Sequence, residues 1–220
     1  IAIDGTGVPY VVYRDQGGGT YQAIAKKYEG GSWVDLGNVN SGAANGIDIA
    51  IDSSGIPYVV YIEYNSFSQR VYVKKYVEET WTAVGGQSGY DSLNPNIAID
   101  SNGIPYIVWD KNGGEVYVRK YEGGSCSWVV LGDLGKASTS RASDPGIVLD
   151  SHGKPYVVYK DAANDDKATV RTYSLLSSAC EITSVSGPSE ASLDDSVITA
   201  TVDGTISELT VDVAVSAGAG

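Results

Sequence analysis

The apolar residues of this chain come in short runs at successive positions: Val11 with Val12, Val59 with Val60, Ile107 with Val108, Val157 with Val158. A continuous run of this length predicts a strand covered on both faces, not one with a solvated side. Each run is preceded by a shorter apolar stretch (IAID or a variant). It is followed by a mixed segment of the type VYVKKY, and then, in three cases of four, by a segment around a Trp. Four short strands per unit are therefore expected. Beyond about residue 187 the texture changes. Val197–Val202 and Leu209–Val213 alternate apolar and polar residues, which predicts strands of another kind of sheet.

The units are repeats. IAIDGTGVPYVVY at Ile1–Tyr13 returns as IAIDSSGIPYVVY at Ile49–Tyr61, IAIDSNGIPYIVW at Ile97–Trp109 and IVLDSHGKPYVVY at Ile147–Tyr159. Gly7, Gly55, Gly103 and Gly153 are spaced 48, 48 and 50 residues apart. A period of about 40 to 50 residues built only of strands is the signature of a β-propeller with one repeat per blade. The expected fold class is all-β: four four-stranded blades of about 48 residues each, with a short β-sandwich-like C-terminal segment. The blades fall at about 1–46, 47–94, 95–144 and 145–187, and the tail at 188–220. A closed four-bladed ring is favoured over a larger ring completed by a second chain or by further upstream blades, because an open arc would expose two apolar blade faces.

Between the first two strands of each repeat stands Asp-x-x-Gly-x-Pro, with Asp4 and Gly7, Asp52 and Gly55, Asp100 and Gly103, Asp150 and Gly153. An Asp carboxylate there accepts backbone N–H bonds two residues on, and Gly permits positive φ, so these are structural turns. One carboxylate per turn is too few for calcium, which takes six to eight oxygens. No metal or other cofactor is indicated, and calcium stays an unsupported option. Trp33, Trp81 and Trp128 recur once per blade, where an aromatic fills the widening wedge between neighbours. The fourth repeat has no Trp, and Cys180 falls near its place.

Composition narrows the partners. Twenty-seven acids against 15 Lys and Arg give a net charge of −12, which argues against nucleic acid, since phosphate binding needs a basic surface. No run of about 18 apolar residues is long enough for a membrane-spanning helix. Cys126 and Cys180 permit one disulfide. The chain lacks Met and opens inside a repeat, which reads as a trimmed piece of a longer precursor.

The pattern D-S-x-G-x-P-Y-V-V-Y, then V-x-V-K-K-Y and W-x-x-L-G, resembles propeller repeats of large secreted or surface-anchored bacterial proteins. The tail resembles the start of an immunoglobulin-like module of surface-layer-associated proteins. The resemblance implies an extracellular or cell-surface location. The Asp turn is loosely similar to the sialidase Asp-box, but Ser/Thr-x-Asp-x-Gly-x-x-Trp is not present.

No catalytic residue stands out. The one histidine, His152, occupies a turn position that is Thr6, Ser54 and Asn102 elsewhere. The first expectation is therefore a non-catalytic module for binding or assembly at a bacterial surface. The alternatives are a glycan-binding, lectin-like propeller and a sialidase-like glycoside hydrolase. The partner would be a surface glycan or a protein, with self-assembly as a further option. Recognition is expected in the variable loops of the face opposite the Asp turns. The candidates there are Asn45, Tyr64, Tyr90, Asp91, Asn94, Arg141 and Asp144, with Asp15, Glu63, Asp110, Asp161 and Asp165 on the same face.

Overall fold

The computed structural model describes residues 1–16, 19–65, 68–90, 92–131, 137–138, 141–173, 182–186 and 199–202. Among the described residues it is all-β apart from short 3-10 turns such as Ala162–Asn164. Two compact units divide between Ser174 and Leu175.

The first unit contains four antiparallel sheets in chain order. Blade 1 is β1 (Ala2–Ile3), β2 (Pro9–Asp15), β3 (Gln22–Glu29) and β4 (Ser32–Asn38). Blade 2 is β5 (Ala43–Ile51), β6 (Pro57–Asn65), β7 (Ser68–Val77) and β8 (Thr80–Ala83), with β9 (Gly89–Tyr90) added on β7. Blade 3 is β10 (Ser92–Ile99), β11 (Pro105–Lys111), β12 (Glu115–Glu122) and β13 (Ser127–Val130). Blade 4 has three strands among the described residues, β14 (Ala142–Leu149), β15 (Pro155–Asp161) and β16 (Lys167–Thr172).

The Asp turns are all built alike. Asp52 Oδ1 accepts from the N–H groups of Ser54 and Ile56 at 2.9 Å, and Asp100 Oδ1 from Asn102 and Ile104 at 2.9 Å. Asp4 and Asp150 do the same for Thr6 and Val8, and for His152 and Lys154. Each turn closes with the glycine N–H donating to the Asp carbonyl, the glycine at positive φ. The carboxylates of Asp4 and Asp150 are held below the ordinary range, first by the backbone N–H of Val8 and of Lys154.

Three apolar clusters join successive blades. Tyr10, Ala25 and Val12 meet Ile49, Val59 and Tyr61 between blades 1 and 2. Val60, Ile62 and Val73 meet Ile97, Ile107 and Trp109 between blades 2 and 3. Tyr106, Val108 and Val118 meet Ile147, Val157 and Tyr159 between blades 3 and 4. Burying one such aliphatic side chain stabilises by about 1.5–3 kcal/mol. The continuous apolar runs have their reason here: all of Tyr58–Ile62 and Tyr106–Trp109 is buried, because blades 2 and 3 are covered on both faces. Blades 1 and 4 are covered on one face, so Val157 is buried while its neighbour Val158 is exposed.

That asymmetry corrects the closed ring. The first strands contact one another in the order β1, β5, β10, β14, and no comparable contact joins β14 to β1 among the described residues. Among the described residues of the first unit the four sheets form an arc, and no other described sheet of that unit covers the outer faces of blades 1 and 4.

In the second unit, β17 (Ile182–Ser186) pairs antiparallel with β18 (Thr199–Val202). Because Ile182–Ser186 pairs with a strand of the tail, the boundary lies before it, between Ser174 and Leu175, and not after residue 187. This strand pair is the sheet described in the second unit, and the rest of the segment read as immunoglobulin-like lies outside the described residues. Cys126 is exposed at a left-handed turn, and Cys180 lies outside the described residues.

Candidate functional site

The face opposite the Asp turns is shaped by a repeated bulge in the first strand of blades 2, 3 and 4. The register shifts between Asn45 and Ile47, Leu93 and Asn96, and Ser143 and Gly146. The residue in the left-handed conformation is Gly46 in blade 2, Asn94 in blade 3 and Asp144 in blade 4, with φ of 43°, 44° and 52°. A bulge re-aims the side chains around it, and Asn and Asp tolerate this conformation better than other non-glycine residues.

In blade 3 the bulge carries Asn94, whose amide donates to Asp110 Oδ2 at 3.3 Å. Asp110 lies near the end of β11 and is 4% exposed. Its other oxygen, Oδ1, is buried without a hydrogen-bond partner among the described residues. Burial raises its pKa above the ordinary carboxylate range, against the lowering pull of its own backbone N–H and of Asn94, and the charge of Asp144 adds to the rise. A buried polar group left unpaired costs about 1–3 kcal/mol, so an orphaned carboxylate oxygen calls for an explanation.

A cleft of about 840 Å³ opens between blades 3 and 4, lined among others by Asp110, Lys111, Arg141, Ser143, Lys160 and Asp166. The backbone of Arg141 is pinned from both blades. Its carbonyl accepts from Ala162 N–H at 2.9 Å, and the next N–H, of Ala142, donates to Gly114 O at 2.5 Å. Gly114 sits at φ +88°, and a Cβ on it would come within 2.3 Å of Arg141 Cγ. Only glycine lets the β11–β12 turn lie this close to the arginine. Lys160 pairs with Asp166 at 3.4 Å across the blade 4 side. Arg141 and Asp144 are exposed, so the cleft has a buried acid and a charged rim.

Three of the expected residues, Asn94, Arg141 and Asp144, therefore gather around Asp110. The others stand elsewhere. Asn45 accepts from Arg14 Nη1 at 2.8 Å on the blade 1–2 side. Tyr90 is exposed beside β7 with the Arg70 guanidinium 5.1 Å from its ring centroid. Tyr64 is exposed and does not line the cleft. Asp91 lies outside the described residues. Asp110 itself was legible only as one of several loop acids. The available signal was the repeat: the same position holds Arg14, Ile62 and Lys160, and an acid one residue beyond a buried run is out of place. Among the described residues no group of three or more His, Cys, Asp or Glu side chains is placed to hold a metal ion. No described helix is long and apolar enough to cross a membrane.

No protein-family model and no curated protein matches the chain. Solved structures similar to it include a thermostable family-43 glycoside hydrolase, at 16% identity and a TM-score of 0.45 over 74% of this chain and 66% of that one. An endo-arabinase from Bacteroides thetaiotaomicron is similar at 13% identity and a TM-score of 0.44, over 74% of this chain and 69% of that one. A fucose lectin from Kordia zhangzhouensis, in complex with methyl-fucoside, is similar at 17% identity and a TM-score of 0.41, over 58% of this chain and 92% of that one. The chain thus spans about two thirds of the two hydrolases' length. At such identities the likeness concerns the fold alone. The first functional expectation, a non-catalytic module for binding or assembly at a bacterial surface, is corrected here. The similar structures are largely glycoside hydrolases, with a fucose lectin among them, which accords with the glycan-binding alternative better than with a surface-assembly module.

Proposed function

We propose that this chain binds a glycan in the cleft between blades 3 and 4. The observation that carries the reading is the buried Asp110 carboxylate, whose free Oδ1 lies in a cleft-lining residue with charged neighbours. Oδ1 is closed off from the cleft; a small turn of the side chain toward a bound sugar would let a hydroxyl donate to it and remove the cost of leaving it unpaired. Asn94 holds the second oxygen and so fixes the plane of the carboxylate. Arg141, whose backbone is held from both blades, can bring its guanidinium donors to further hydroxyls or to ring oxygen. A cleft of this size, with a few convergent polar groups, suits a small saccharide. An extracellular setting belongs to the same proposal.

Glycoside hydrolysis is the second reading, favoured by one observation. Burial, with the charge of Asp144 adding to it, raises the pKa of Asp110, and a carboxyl so placed suits the role of proton donor. Isothermal titration with the sugar that binds, followed by assay for released reducing ends, separates the two. Binding without release supports the lectin reading. Release that disappears in both Asp110→Asn and Asp144→Asn supports the hydrolase. No binding by the wild type to any saccharide class refutes both.

A further inference from the structure

We propose that blade 1 of one copy of this chain docks on blade 4 of another, head to tail, through the contact that already joins blades 3 and 4. The two end faces of the arc are apolar and have no partner blade among the described residues. On blade 4, Val148, Val158 and Val170 are 65%, 41% and 63% exposed, and with Tyr156 and Ile147 they line a depression of about 310 Å³. On blade 1, Ile1, Ile3, Tyr13 and Trp33 are 81%, 66%, 37% and 45% exposed. Single exposed apolar residues are ordinary, but contiguous apolar patches mark contact surfaces.

The inner blades show what covers such faces. The blade 3 equivalents of Tyr156, Val158 and Val170 are Tyr106, Val108 and Val118, each 0% exposed. The equivalence follows from register, since Val108 pairs with Val118 and Val158 with Val170. Tyr106, Val108 and Val118 pack with Ile147, Leu149, Val157 and Tyr159 of blade 4. The repeat places Ile1, Ile3, Val11 and Tyr13 at those same four positions in blade 1. One chain therefore carries both halves of a contact that it makes internally between each pair of successive blades.

The tryptophans point the same way independently. Trp81 Nε1–H donates to Leu36 O of blade 1 at 2.9 Å, and Trp128 Nε1–H to Val84 O of blade 2 at 3.1 Å. Each indole thus reaches back to the preceding blade. Trp33 holds the same place in blade 1, yet its N–H has no acceptor among the described residues, and its ring meets only Tyr28. The occupant is a second copy because the matching face, in matching register, is already encoded in this chain.

The new junction is weaker than the internal ones for a visible reason. Asp48 Oδ2 accepts from Ile97 N–H at 3.0 Å, and Asn96 Oδ1 from Ile147 N–H at 3.1 Å, latching each blade to the next. In blade 4 this position is Gly146, which offers no side-chain acceptor. The net charge of −12 also opposes association and is screened by salt.

Sedimentation equilibrium of the complete chain, from micromolar to millimolar and at low and high salt, is the test. The expected mass rises with concentration in steps of 23.1 kDa, more readily at high salt. Val158→Asp and Tyr13→Asp each remain monomeric alone, with association weakened at least tenfold, and mixing them restores a heterodimer because each keeps the face the other lost. Val170→Lys repeats the blade 4 test at a second exposed position if Val158→Asp does not fold. A wild type that stays monomeric throughout overturns the proposal. So do one-face variants that still self-associate, or folded variants that fail to pair when mixed.

Discussion

Asp110→Asn separates a functional acid from a structural one. In the folded protein this carboxylate is 4% exposed and has one oxygen with no partner among the described residues. Its pKa is raised, so the fold favours the protonated form. The sign follows: relative to the unfolded chain, Asp110 is tolerated fully below its unfolded pKa, and that tolerance is lost as pH rises through the higher folded value. At neutral pH the wild type bears the cost of a buried charge, which the isostere removes, although its amide nitrogen then takes the unpaired place of Oδ1. The amide oxygen still accepts from Asn94, so a net relief of about 1 kcal/mol is expected. In a unit of this size 1 kcal/mol corresponds to about 2–4 °C in Tm. Asp110→Asn should therefore melt a few degrees higher at pH 7, with the gain shrinking toward acid pH. The same change removes a charge-assisted acceptor of about 1.5–3 kcal/mol, which weakens sugar binding roughly 10- to 150-fold. Calorimetric melting across pH, paired with titration of the bound sugar, reads both. A variant that melts lower at every pH, or binds sugar as the wild type does, refutes the reasoning.

Three further changes test the supports of this arrangement. Gly114→Ala meets both positive φ and Arg141, so it should cost about 1–3 kcal/mol by chemical denaturation and weaken sugar binding by displacing that arginine. Asp48→Ala leaves Ile97 N–H without its inter-blade acceptor and should cost about 1–3 kcal/mol. Asp48→Asn keeps an acceptor, and because burial raises the pKa of Asp48 its stability should gain on the wild type as pH rises; urea midpoints at two pH values check this. Trp128→Phe loses a buried N–H bond to Val84 O and should cost about 1–2 kcal/mol, whereas Trp33→Phe in the isolated monomer should change stability by no more than about 0.5 kcal/mol.

The repeat made the blades readable because each strand solves the same burial problem four times. Asp, Gly and Pro at fixed offsets mark a turn whose hydrogen bonds are local, and local geometry is what sequence spacing encodes. Closure was not readable in the same way. Whether Val158 is covered depends on what lies opposite it, and the apolar run at Val157–Val158 looks the same in a ring as in an arc. The site was legible in part. Asn94, Arg141 and Asp144 fall in loops that differ between repeats, so difference pointed to them. Tyr64 and Tyr90 were named by the same logic, yet strand pairing holds Tyr90 along β7, away from the cleft. Asp110 was hidden because its importance lies in burial and in one unpartnered oxygen, neither of which a residue type reveals.

The claim that this chain recognises a sugar through Asp110 is tested most directly by a glycan array probed with the complete wild-type chain beside Asp110→Asn. The account predicts binding to one saccharide class by the wild type and its loss in the folded variant. A blank array, or binding that the substitution leaves unchanged, would contradict it.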